Sequence, residues 1–89
     1  IKLETDLDFG DQPYHGRHGP LPVYRAPIEE WGPLDVALKD AALDLEYGWA
    51  DDCNAPDSTG VSPYPINSRN GVRVSTADAY LEPARGRSN

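Results

Sequence analysis

Prolines and glycines punctuate this chain so densely that the longest stretch free of both is residues 34–47. Proline fixes φ and removes a backbone donor, while glycine weakens the interior of a helix or strand, so each tends to mark a boundary. Inside the one long window Leu34, Ala37, Leu38, Ala41 and Leu45 recur at i, i+3, i+4, i+7 and i+11, which is a single helical face. Pro33 suits the first helical position and Gly48 the left-handed position just past the end. Asp35, Lys39, Asp40 and Glu46 lie opposite the apolar stripe, a face expected to meet water.

Elsewhere the punctuation allows only short elements. "IKLET" reads as the last turn of a helix, and "DLDFGDQPYHGRHG" as a loop. "PLPVYRAP" reads as a short extended segment whose prolines suit a sheet edge. "WADDCNAPDSTG" is a turn-rich connection, and "VSPYPINS" is extended, with Val61, Tyr64 and Ile66 as its bulky residues. "RNG" is a hairpin-type turn and "VRV" a strand. Ser75 followed by Asp78 has the spacing of a capping box and opens a short helix, "TADAYLEPA". The expected class is therefore α+β.

Three Ile, eight Leu, five Val and one Phe can build only a modest core, and small scaffolds of this kind usually need a staple. Cys53 is the single cysteine, so no disulfide forms within the chain. The net charge of −7 argues against nucleic acid and against an anionic membrane surface, both of which call for clustered Lys and Arg. No apolar run approaches transmembrane length. Composition describes a chain that is acidic and marginal as a free-standing fold.

Intrinsic motifs assemble no active site. His15 and His18 have H-x-x-H spacing, but they sit in a Gly/Pro loop without a second ligand cluster, so no metal site is expected. "DLDFGD" and "DDCNAPDSTG" lack the ligand rhythm of a calcium loop and read as turn and capping residues. Nothing places a base beside Cys53, which reads as a partly buried, inert thiol. Ser75 has no G-x-S-x-G elbow around it, and neither a G-x-G-x-x-G nor a P-loop occurs.

Taken in order, "YHGRHGPLPV", "PLDVALKDAALDLEYG" and "DDCNAPDSTGVSPYPINSRNGVRVSTADAYLEPARGRSN" resemble the middle of the glucose–methanol–choline (GMC) flavin oxidoreductases. The pattern "HG-x-x-GPL-x-V" is matched by His15, Gly16, Gly19, Pro20, Leu21 and Val23. The pattern "D-x-N" before "GVG-x-Y" is matched by Asp52, Asn54, Gly60, Val61 and Tyr64. The pattern "G-x-R-x-S-x-x-x-AYL-x-P", then "R-x-NL", is matched by Gly71, Arg73, Ser75, Ala79, Tyr80, Leu81 and Pro83, with Arg87 and Asn89 following. "IKLE" is similar to a helix end in the same family.

The resemblance implies a fragment of a two-domain flavoprotein. Residues 1–70 would be part of the substrate-binding domain, with part of its sheet and a covering helix. Residues 71–89 would begin the return into the FAD-binding domain. The complete enzyme would oxidise a small alcohol by hydride transfer to FAD, held mainly by segments outside this chain. The family's dinucleotide fingerprint and catalytic His are absent here, and His15 and His18 match a different motif, so no catalytic residue is assigned. Tyr64 and Asn67 are the substrate-proximal candidates, as polar tips among the alternating side chains of "VSPYPINS". The partners implied are the remaining segments of the same enzyme, and the location implied by analogy is cytoplasmic. The alternative is a stand-alone, acidic, non-catalytic interaction module; a metal-binding mini-domain is a third reading.

Overall fold

The computed structural model describes residues 3–89. Strand β1 (Glu4–Asp6) pairs in parallel with β2 (Leu21–Val23), in the register Glu4–Leu21, Thr5–Pro22 and Asp6–Val23. A single-turn 3₁₀ helix (Ile28–Glu30) precedes the main helix α1 (Pro33–Asp44). Strands β3 (Ser68–Arg69) and β4 (Val72–Arg73) form an antiparallel hairpin. A π-helical turn (Ala77–Leu81) then runs into α2 (Glu82–Ala84). Mixed helices and short strands agree with the expected class. Two compact units result, one running up to Tyr24 and resuming at Ile66, the other Arg25–Pro65.

In the first unit β1 replaces the expected helical turn at Glu4 and Thr5, with Leu3 in a bend before it; Ile1 and Lys2 lie outside the described residues. The cause is non-local. Parallel strands need a connection of roughly a dozen residues or more, and the loop between Asp6 and Leu21 provides it. That loop folds back on β1: Asp6 N–H donates to the Gly16 carbonyl (2.8 Å) and Gly19 N–H to the Glu4 carbonyl (2.8 Å). Thr5 Oγ1 donates to the Gly19 carbonyl at 2.6 Å. A Cβ on Gly19 would overlap the backbone of Leu3 and Glu4, so only glycine fits this approach. Later in the same unit Asn70 (φ 52°) and Gly71 (φ 77°) are both left-handed, as a type I′ turn between β3 and β4 demands. Ser75 and Asp78 form the capping box: Ser75 N–H (2.8 Å) and Oγ (2.6 Å) donate to Asp78 Oδ2, and Asp78 N–H donates back to Ser75 Oγ (3.3 Å).

In the second unit α1 begins at Pro33 as its spacing predicts, with Asp35 in the first turn, where the helix dipole favours an anion. Its end differs. Glu46, not Gly48, takes the left-handed conformation (φ 67°). Tyr47 N–H donates to the Ala42 carbonyl and Glu46 N–H to the Leu43 carbonyl, both at 3.0 Å, which is the Schellman pattern closing the helix two residues earlier than expected. Gly48 is used differently: its carbonyl accepts from Val61 N–H (2.8 Å), while Gly60 (φ 105°) lies so close that a Cβ there would overlap that carbonyl.

The apolar stripe read from the sequence is left largely exposed. Leu34, Leu38 and Leu45 are 80%, 69% and 73% exposed. The half-buried face is Val36, Lys39 and Ala42, so Lys39 lies on the covered side and not on the water side expected for it. Among the described residues no aliphatic or aromatic side chain other than Pro22 is buried; the remaining buried side chains are Asp6, His15, Arg25 and Asp52.

Candidate functional site

Two buried polar centres and one open cavity hold the chemistry of the described residues. The first centre lies in the first unit. His15 Nδ1 donates to Glu4 Oε1 at 2.8 Å and lies 3.4 Å from Asp6 Oδ2. Gly16 N–H donates to the same Glu4 oxygen at 3.1 Å, and Asp6 Oδ1 accepts from Asp8 N–H (3.0 Å) and Phe9 N–H (3.1 Å). Phe9 and Tyr14 flank the imidazole with ring centroids at 6.3 and 5.1 Å. An imidazole held in this way positions the loop. The Gly/Pro punctuation around it follows from the same geometry, since the backbone must pass close enough to β1 for His15 to reach Glu4.

The second centre, in the second unit, is an ion pair between Arg25 Nη2 and Asp52 Oδ1 at 2.9 Å, with both side chains 4% exposed. Asp52 also organises its own loop: Oδ1 accepts from Asn54 N–H (3.1 Å), and its carbonyl accepts from Ser58 Oγ (2.8 Å). "DDCNAPDSTG" is therefore a turn built on Asp52, as its residue types suggested. Arg25 was not legible as its partner, because a solitary arginine 27 residues upstream carries no local signal. Cys53, expected to be partly buried, is exposed. Among the described residues no group of three or more His, Cys, Asp or Glu is placed to hold a metal ion.

The cavity, about 350 Å³, also lies in the second unit. Trp31, Val61 and Tyr64 give it an apolar wall, and Asp35, Leu38 and Lys39 of α1 face them. Trp31 is fixed by its indole N–H on the Ala26 carbonyl (2.9 Å) and by the Trp49 ring at 6.1 Å. Lys39 Nζ donates to Asp40 Oδ1 at 2.6 Å. Tyr64, 82% exposed, stands at this wall. Asn67 is not among the lining residues; its Nδ2 donates to the Pro22 carbonyl at 2.9 Å and ties β2 to the segment before β3.

Away from these centres, one carboxyl departs from its ordinary titration. Hydrogen bonds from Ser75, first from its hydroxyl and then from its backbone N–H, hold the Asp78 carboxyl below the usual aspartate range.

No protein-family model matches the chain. Individual relatives do. It is 43% identical over 88 residues to an uncharacterised GMC-type oxidoreductase of Rhodococcus erythropolis, covering 99% of this chain and 18% of that protein. It is 39% identical over 84 residues to a glucose dehydrogenase [FAD, quinone] of Drosophila melanogaster, covering 94% of this chain and 13% of that one. Among solved structures, the crystal structure of pyridoxine 4-oxidase from Mesorbium loti superposes on 98% of this chain with a TM-score of 0.85 at 35% identity, using 17% of its own length. In sequence and in fold the chain matches one segment of GMC-type oxidoreductases. It spans less than a fifth of the length of the curated relatives it matches. Among the described residues no helix is long and apolar enough to cross a membrane.

Proposed function

We propose that this chain is a structural segment of an FAD-dependent alcohol oxidoreductase, contributing architecture and one wall of the substrate cavity. The observation that carries this reading is the superposition on pyridoxine 4-oxidase over 98% of the chain at 35% identity. Oxidation of a small alcohol, with hydride passing to the flavin, is the chemistry proposed for the whole enzyme. The flavin itself belongs elsewhere. FAD needs a long crevice with N–H or cationic donors at its pyrophosphate. The cavity of about 350 Å³ is bordered by the carboxylates of Glu30 and Asp35, and its lysine, Lys39, is already engaged with Asp40, so these residues do not fit the cofactor.

Within that enzyme Tyr64 and Asn67 are the substrate-proximal residues proposed, on different grounds. Tyr64 presents its phenol at the cavity wall, whereas Asn67 holds the backbone of β2 through its amide. His15 has no catalytic role in this reading, because Glu4 and Asp6 enclose it. The remaining segments of the same enzyme are the partners, and the cytoplasm is the compartment proposed by family analogy.

Anaerobic mixing of the purified native protein with primary alcohols, followed by flavin absorbance, tests the proposal. Bleaching of the oxidised flavin band by at least one alcohol is the expected outcome. A protein that copurifies with no flavin overturns the reading.

A further inference from the structure

We propose that Asn70 is a self-modifying position, where the Gly71 backbone nitrogen attacks the Asn70 side-chain amide and converts it to aspartate and isoaspartate. Asparagine is among the thermolabile residues, and its amide is lost where the next backbone nitrogen can reach it. Asn54, Asn67 and Asn70 are each followed by another residue, and their surroundings differ. Asn54 precedes Ala55, whose N–H donates to the Asp52 carbonyl at 3.2 Å, and its own N–H donates to Asp52 Oδ1 at 3.1 Å. Asn67 precedes Ser68. Its Nδ2 donates to the Pro22 carbonyl and its carbonyl accepts from Val74 N–H, both at 2.9 Å.

Asn70 sits before Gly71 at the exposed tip of the β3–β4 hairpin. The closing pair of that ladder is Arg69–Val72, so the Gly71 N–H lies outside it. Apart from its chain neighbours, nothing lies within 4 Å of where a Gly71 Cβ would sit, so no other group crowds the reacting peptide on that side. Glycine itself brings no Cβ to hinder the attack.

The Gly71 nitrogen gives up its proton and bonds to Asn70 Cγ, the Cγ–Nδ2 bond breaks, and Nδ2 leaves as ammonia, closing a cyclic imide. Water then opens the ring. Addition at Cγ restores the main chain with an aspartate, whereas addition at the Asn70 backbone carbonyl carbon leaves the main chain running through Cγ as isoaspartate. No oxidant or reductant is consumed. The isoaspartate adds a methylene to the main chain inside a two-residue turn, so the pairs Arg69–Val72 and Ser68–Arg73 must slip. Either product adds a negative charge next to Arg69. The modification is independent of flavin and of the oxidoreductase reading.

The test is incubation of the full-length native protein in warm, mildly alkaline buffer over weeks, followed by peptide mapping with electron-transfer fragmentation, which separates isoaspartate from aspartate. The expected result is conversion of amide to acid at Asn70 about tenfold or more faster than at Asn54 or Asn67, because those two react only through local opening. Both aspartate and isoaspartate form at Asn70. Rates at the three positions within about threefold of one another overturn the proposal. Aspartate without isoaspartate also overturns it, because water and not the Gly71 nitrogen would then be the attacking group. Conversion at Asn70 seen only after unfolding in urea overturns it as well, since the turn is then closed to the reaction in the native protein.

Discussion

The loop around His15 and the helix α1 solve opposite problems. The loop encloses a charged and hydrogen-bonding cluster, with Asp6 1% and His15 6% exposed, and satisfies it with carboxylate and backbone partners. Helix α1 is regular and correctly terminated, yet it leaves its best apolar face uncovered. A free-standing domain does the reverse, burying leucines and solvating charges. The contrast teaches that local geometry is complete in this chain while the apolar burial that stabilises a domain is not. The first kind of order is specified by hydrogen bonds and glycine approaches inside the sequence, and on the proposed reading the second would come from the remaining segments of the enzyme.

Substitutions in the full-length protein sharpen that comparison. The largest effect is expected from Gly19→Val, which forces a side chain into the backbone of β1. A loss above about 4 kcal/mol, read as absence of folded protein after thermal or urea challenge, is expected; wild-type stability would show that the loop is not pressed on β1. Asp52→Ala comes next, because it removes the carboxylate partner of a buried guanidinium. It should cost about 3 kcal/mol or more in urea unfolding, and an Arg25→Met/Asp52→Leu double variant should recover much of that. If both variants lose the same amount, the pair is not coupled.

A smaller gain is expected from Glu46→Gly. The left-handed φ of Glu46 carries a cost of about 1–2 kcal/mol that glycine avoids, partly offset by the flexibility glycine adds to the unfolded chain. A net stabilisation of about 0.5 kcal/mol should appear as a raised urea midpoint. The smallest effect concerns Asp78. Its folded-state pKa is depressed, so the stability it contributes is present above the unfolded aspartate range and is lost as pH falls through the lowered folded value. Ser75→Ala removes the hydroxyl donor but keeps the backbone N–H, so the Asp78 titration, followed by NMR, should move part of the way up toward the ordinary aspartate range; an unchanged titration would remove the Ser75 hydroxyl as a cause.

What the sequence revealed follows the same division. Pro33, the Asn70-Gly71 pair and the Ser75/Asp78 spacing each specify a local backbone geometry, and the structure shows each where expected. Non-local pairings were hidden. Glu4–Asp6 has no intrinsic strand signature and becomes strand by pairing with Leu21–Val23, and Arg25 meets Asp52 only through the fold. The helix stops at Glu46 instead of Gly48, and Gly48 serves the close approach to Gly60 and Val61. The family motif "HG-x-x-GPL" was recognisable, but its physical reason emerges only with the imidazole of His15 lodged on Glu4 and Gly19 against the backbone of β1. The side chains along "VSPYPINS" point to Tyr64 and Asn67 alike, and the fold gives them different surroundings, a cavity wall and a backbone carbonyl.

The central claim is that this chain is one segment of a larger flavoenzyme, and denaturing mass spectrometry of the purified native protein tests it most directly. The account predicts a polypeptide several times longer than this chain that contains its sequence, or companion polypeptides making up that length, together with released FAD. A single species of this chain's mass, with no flavin, would contradict it.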